Sequence, residues 1–209
     1  MSKLVRTSMR QQIYDIIKER IMTQEYDFGE PINISTLSKE LDASNTPIRE
    51  ALSMLSAEGL VVANVNSKFR VIEFTEESME ELNETLYVLI SGTYLSSCRL
   101  KKVGGLVNLL ENAYRRQLAE SESEDQSAYI RGALAFDRCF VEVSANAKLL
   151  AIYDNLADLF YLSARYTYSH QTTAKIDNLS EHKAILEAVR VGTQSMVLDL
   201  LAAHYNKHI

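Results

Sequence analysis

The sequence predicts a mainly α-helical protein in two parts: a small head carrying a β-hairpin, then an all-α bundle of about six helices. Three observations predict it. The chain has 209 residues and only two prolines, Pro31 and Pro47, both in the first quarter. Proline inside a helix costs about 3 kcal/mol, so the proline-free remainder is free to be helical. Apolar residues recur at helical spacing along most of the chain. The exceptions are two short β-rich runs, LVVANV and FRVIEF, separated by NSK.

Each element follows in order. Residues 9–23 place Ile13, Ile16, Ile17 and Ile21 at helical spacing, giving an amphipathic first helix. Gly29 and Pro31 punctuate the chain after it, and PINI reads as a short strand. Ser35 is a good N-cap for a second helix, STLSKEL, burying Leu37 and Leu41. Asp42 and Ala43 make a tight turn. A third helix is expected from about Asn45 to Glu58, with the stripe Ile48, Ala51, Leu52 and Leu55. Gly59 is placed to end it in a left-handed conformation. The two β-rich runs then pair as a hairpin. Helix, strand, helix, tight turn, helix and hairpin is the layout of a winged helix-turn-helix.

Thr75 caps the next helix, with Glu76 and Glu77 where the helix dipole favours acid. A boundary is therefore expected here, with a winged head over residues 1–74 and a bundle over 75–209. The six bundle helices are expected at about 75–98, 101–121, 126–144, 147–169, 173–191 and 193–207. ESESEDQ, residues 120–126, is the clearest polar loop.

Composition narrows the function. Hydrophobic residues make up 46% and charged residues 24%, as in folded chains rather than disordered ones. No stretch approaches the roughly 18 apolar residues of a membrane span. Met1 to Arg10 lacks an apolar signal core. Cys98 and Cys139 are too few for a zinc knuckle or a disulfide framework. The expectation is a cytoplasmic protein with no membrane partner. Net charge is −6; residues 1–74 carry 9 Lys and Arg against 10 Asp and Glu, and residues 75–209 carry 13 against 18. Bulk charge does not suggest nucleic acid, but a small positive face can sit on a neutral domain.

The most specific string is SNTPIREALSMLSAEGLV, residues 44–61. A helix N-terminus can enter the major groove with its unpaired N–H groups facing phosphate. Ser44, Asn45 and Thr46 supply short hydrogen-bonding groups there, and Pro47 sits where a missing N–H is harmless. Arg49, one turn further in, can fork onto guanine O6 and N7. Glu50 is better suited to orienting a neighbouring cation than to touching DNA. Lys68 and Arg70 in the hairpin would neutralise phosphates. Ser or Thr, a polar pair, Pro, an apolar residue, Arg-Glu-Ala-Leu and a closing Glu-Gly-Leu resemble the helix-turn-helix signature of the GntR family of bacterial transcription regulators. The six-helix remainder resembles the FadR-type C-terminal effector domain. Many members of that family carry Arg where Asn45 stands and Gly near Lys68. Asn prefers adenine, so an operator unlike the family's commonest is expected.

In the bundle three polar residues lie on apolar stripes. Asp137 lies with Ile130, Leu134 and Val141; His182 with Ile185, Leu186 and Val189; His204 with Val197, Leu200 and Leu201. A buried carboxylate needs a partner. From residue types alone an Asp–His hydrogen-bond network and a divalent metal site both remain open, and Zn, Ni or Mn suits such ligands. The resemblance implies the metal: the FadR-type domain often binds one through an Asp, a His four residues later, and two His on the last two helices. Asp137, His182 and His204 match three of these, while Val141 stands where the fourth is expected. Leu86 stands where many metal-binding members carry an effector-holding Arg. Tyr87 and Arg165 are the effector-binding candidates that remain. Core packing is the favoured reading of the set Tyr87, Tyr94, Tyr161, Tyr166 and Tyr168. His170 and His208 read as solvated, and Cys98 and Cys139 as small hydrophobes.

The expected function is a ligand-responsive DNA-binding regulator. It would be a homodimer on a palindromic double-stranded DNA operator. A small-molecule effector in the bundle, an organic acid or a more apolar metabolite, would shift DNA affinity. Repression is the family's habit. One alternative is a DNA-binding regulator whose bundle only dimerises, and a partly polar cavity among its helices would argue against that. A helical metalloenzyme is the other, and no general base or nucleophile stands out to support it.

Overall fold

In a computed structural model, which describes residues 8–64, 68–123, 126–171 and 173–205, helix α1 (Met9–Met22) buries Ile13, Tyr14, Ile17 and Ile21 on one face. Strand β1 (Pro31–Ile32) and helix α2 (Ile34–Glu40) follow. The cap of α2 is Asn33 rather than Ser35. The Asn33 carboxamide oxygen accepts from Ser35 N at 3.0 Å and Thr36 N at 3.2 Å, and the Ser35 hydroxyl itself donates to it at 2.7 Å. Helix α3 (Asn45–Ala57) buries its whole stripe of Ile48, Ala51, Leu52 and Leu55. Gly59, at φ 79°, turns the chain out of the helix. Across the core Tyr14 Oη donates to Glu58 at 2.6 Å, and Lys18 adds a bond to the same carboxylate, so α1 is tied to the end of α3.

Strands β2 (Val61–Ala63) and β3 (Phe69–Val71) close a three-stranded antiparallel sheet in the order β1-β3-β2. Arg70 is the register point, opposite both Pro31 and Val62. Asn64 N donates to Lys68 O at 2.8 Å where the hairpin narrows. Its tip, with Asn66 and Ser67, lies outside the described residues.

Contacts divide the chain into two units, Met1–Phe74 and Thr75–Ile209. The second opens on Thr75, which forms a reciprocal cap with Ser78. Its helices are α4 (Glu76–Arg99), α5 (Val103–Ala119), α6 (Gln126–Glu142), α7 (Ala147–His170), α8 (Ala174–Val191) and α9 (Gln194–Tyr205). The protein is thus mainly helical, with six bundle helices among the described residues. Helix α6 is the most enclosed of these, packing on α5, α7 and α4. Its Phe136 and Phe140 join Ile90, Leu106, Leu110, Tyr153 and Phe160 in one core. Cys139 is also there; burial pushes its thiol up to about 12, and it donates to Ala135 O, as an inert core residue would.

Helices α5 and α6 approach closely at one point. A Cβ added to Gly132 would lie 3.0 Å from the Gln117 Cα, tighter than most packed Cβ contacts, so the α5 backbone would have to give by a few tenths of an ångström. We expect Gly132→Ala to lower unfolding free energy by about 1–3 kcal/mol, the usual cost of overpacking. A denaturant midpoint equal to wild type would show that the two helices can part without loss.

Candidate functional site

The head presents the third helix as sequence reasoning expects. Ser44, Asn45, Thr46 and Arg49 are all exposed at or near the N-terminus of α3. Glu50 faces Arg10 at 4.0 Å, a cation rather than open solvent. Lys68 and Arg70 are exposed on the hairpin. Arg70 also has an internal duty that the sequence did not reveal: it donates to the Gly29 carbonyl at 2.7 Å, tying the sheet to the turn before β1.

In the bundle α6, α8 and α9 bring Asp137, His182 and His204 together. One ligand atom from each lies within 4.8 Å of the others. His182 Nε2 is 3.3 Å from His204 Nε2 and 3.7 Å from Asp137 Oδ1. Each group is held by a second partner. Tyr205 Oη donates to Asp137 Oδ1 at 2.8 Å, His204 Nδ1 sits 2.7 Å from Glu181 Oε2, and His182 Nδ1 sits 2.7 Å from Gln117 Oε1. The Phe136 ring stacks on His182 at 4.1 Å and fixes its plane.

Burial sets the electrostatics. It pushes Asp137 up to about 6, against the pull of His204 and the Tyr205 hydroxyl. It also pushes His182 well below its ordinary value and lowers His204 despite the nearby Asp137. Burial therefore favours the neutral form of both imidazoles. Gln117 Oε1 and the Glu181 carboxylate only accept, so both Nδ1 atoms carry the proton. The two Nε2 lone pairs then face each other. That contact is unfavourable unless a cation lies between them, and this is the observation by which the donor set fits a divalent metal. The 3.3 Å separation agrees, since two nitrogens bound at about 2.1 Å to a tetrahedral zinc stand roughly 3.4 Å apart. Val141 is fully buried in the core, so among the described residues three groups would be left to hold an ion. Three ligands with one position left open is the arrangement of sites that admit an exogenous group.

Asp137 and His204 also line a cavity of about 400 Å³, with Tyr205 beside them. Its apolar wall includes Leu86, Leu134 and Phe160; its polar wall includes Asn83, Thr167, Tyr168, Asn178 and Glu181. No Lys or Arg is found among the described lining residues. Tyr87 and Arg165, the effector candidates from sequence, do not line it. Leu86 faces the cavity, which turns Tyr87 about 100° away round the helix. Arg165 donates to Ser127 and to Tyr161, both at 3.1 Å. Of the tyrosine set, Tyr94 and Tyr161 are buried core residues and Tyr168 borders the cavity. His170 is exposed, and His208 lies outside the described residues.

Comparison with known proteins identifies both units. Residues 9–71 match the model for bacterial regulatory proteins of the gntR family, and residues 102–207 match the FCD domain. The chain is 25% identical over 198 residues to the uncharacterized HTH-type transcriptional regulator YdhC of Bacillus subtilis, covering 93% of this chain and 87% of that one. It is 23% identical over 206 residues to the probable D-xylose utilization operon transcriptional repressor of Paenarthrobacter nicotinovorans, covering 97% and 88%. It is 24% identical over 230 residues to the transcriptional repressor NanR of Escherichia coli, covering 97% and 84%. Among solved structures, a GntR regulator from Rhodococcus sp. RHA1 shares the fold at TM-score 0.72 and 16% identity, covering 96% of this chain and 95% of that one. McbR/YncC of E. coli does so at 0.66 and 17%, covering 97% and 95%.

Proposed function

The chain belongs to the GntR family of bacterial transcription regulators, in the subgroup with a C-terminal FCD domain, and from that premise we propose a metal-dependent, effector-responsive repressor. It is a transcription regulator, not an enzyme, as its domains and relatives are. Residues 1–74 would read DNA, and residues 75–209 would bind effector and dimerise.

The observation that carries the effector reading is the 400 Å³ cavity with Asp137 and His204 in its wall. A bundle that served only to dimerise would have no need of a partly polar cavity with two of the three convergent residues in its wall. Asp137, His182 and His204 would hold a divalent ion, Zn, Ni or Mn. When bound, that ion supplies a Lewis-acid position for an oxygen of the effector. With no Lys or Arg among the described lining residues, the metal and neutral donors such as Asn178 would meet a carboxylate, while Leu86, Leu134 and Phe160 take the apolar part.

Two features support a homodimer. Operator recognition by this motif pairs two heads on two half-sites. Helix α4 also exposes Val88 (60%) in a groove shared with Ile152 (48%) of α7, an apolar spot that a second copy could cover. Ligand binding would shift the population between DNA-competent and incompetent arrangements of the pair. Such a protein works in the cytoplasm; among the described residues no helix is long and apolar enough to cross a membrane.

Selection of duplexes from a random library by the purified protein tests the DNA-binding reading. The expected result is a palindrome whose half-sites lie about one helical turn apart, or a multiple of it. Enrichment of a single asymmetric site, or of none, would overturn it.

A further inference from the structure

Gln117 closes the apolar stripe of α5 and is wholly buried, which is unusual for a primary amide. Its two ends do different things. Oε1 lies 2.7 Å from His182 Nδ1, and Nε2 donates to Asn178 Oδ1 at 2.7 Å. An amide can be turned over, exchanging donor for acceptor, so something must set its direction.

Two contacts bear on it. Tyr129 Oη donates to Lys175 O at 2.6 Å and also reaches Asn178 Oδ1 at 3.2 Å, sharing its one proton between two acceptors. With the Asn178 oxygen on that side, Gln117 meets it with its nitrogen and turns its oxygen to His182. A metal on His182 Nε2 requires the proton on Nδ1, and only the oxygen end of Gln117 can accept it. Gln117 thus governs which nitrogen of His182 is available to a metal.

We propose that Gln117 is a positioning residue of the metal centre, locking His182 in its Nδ1–H tautomer and linking that tautomer to the cavity wall through Asn178. Because Gln117 takes the oxygen of Asn178, the Asn178 amide has its N–H donors left for the cavity it lines. The cavity wall is therefore built to meet a hydrogen-bond acceptor on the ligand, and ligand and metal are joined by one continuous chain of bonds. This inference rests on the metal reading above.

Zn(II) alone is the probe, titrated into the full-length chain in competition with a chromophoric chelator. Gln117→Leu keeps the volume and removes the acceptor; we expect zinc affinity to fall about 10–100-fold, the usual effect of losing such a partner. Gln117→Glu still accepts from Nδ1–H, so affinity should stay within a few-fold of wild type. A residue needed only for packing would give the reverse order, because leucine suits a dry core and a buried carboxylate does not. That reverse order, or equal losses in both variants, overturns the proposal. Imidazole nitrogen NMR on the wild-type protein needs no variant to fold. His182 should carry its proton on Nδ1 with and without zinc, and a proton on Nε2 overturns the proposal. Wild-type protein that takes up no zinc would instead sink the metal reading, and the tautomer of the metal-free chain would still decide the role of Gln117.

Discussion

Replacing His204 with alanine is expected to abolish metal uptake while the winged head stays folded. In the proposed centre His204 would be one of three protein ligands, and nothing else among the described residues of α9 can replace its nitrogen. Tyr205 is already committed to Asp137. The variant also removes the group that opposes His182 Nε2, so the metal-free bundle loses a poor contact together with a good one to Glu181. The clear readout is therefore metal, not stability. Native mass spectrometry of wild-type protein purified without chelator should show a dimer with one divalent ion per chain, and His204→Ala should show the dimer alone. The increase in melting temperature that excess zinc gives wild type by mass action should vanish as well. Unchanged metal content in His204→Ala would defeat the assignment of the site.

Much of this centre is legible in the sequence because its ligands break a pattern. Asp137, His182 and His204 are polar residues on apolar stripes, and a polar group in that position must find a partner. Gln117 carries the same signal after Leu106, Leu110 and Ala113. It escapes notice because glutamine is a common helix former and usually marks a solvated turn. The cavity wall is harder still. Asn83, Thr167 and Asn178 look like ordinary surface residues until the helices are placed, since a cavity is a property of packing between elements and not of any one of them. Arg165 shows the converse error. Its charge invites an anion, but Ser127 and Tyr161 hold it away from the cavity. In the head, Asn33 and Ser35 are both good caps. Asn33 takes the role because its carboxamide reaches two backbone N–H groups and the Ser35 hydroxyl at once.

Arg49→Ala should weaken specific operator binding far more than binding to unrelated duplex. Arg49 is exposed one turn into α3, about 100° round the helix from Ile48 of the buried stripe. An N-terminal turn lying in the major groove brings that position to the base edges. A bidentate arginine–guanine pair discriminates by about 1–3 kcal/mol, so affinity for the selected operator should fall roughly 5- to 150-fold and the preference at one base pair should relax. Lys68→Ala is the control. A lysine on the hairpin meets phosphate, which carries no sequence, so both specific and non-specific binding should weaken together and the salt dependence should shallow by about one ion. Fluorescence anisotropy at two salt concentrations separates the two. If Arg49→Ala instead behaves as Lys68→Ala is expected to, Arg49 touches only the DNA backbone. Sequence reading would then fall to Ser44, Asn45 and Thr46, the short polar groups ahead of it on the same helix end.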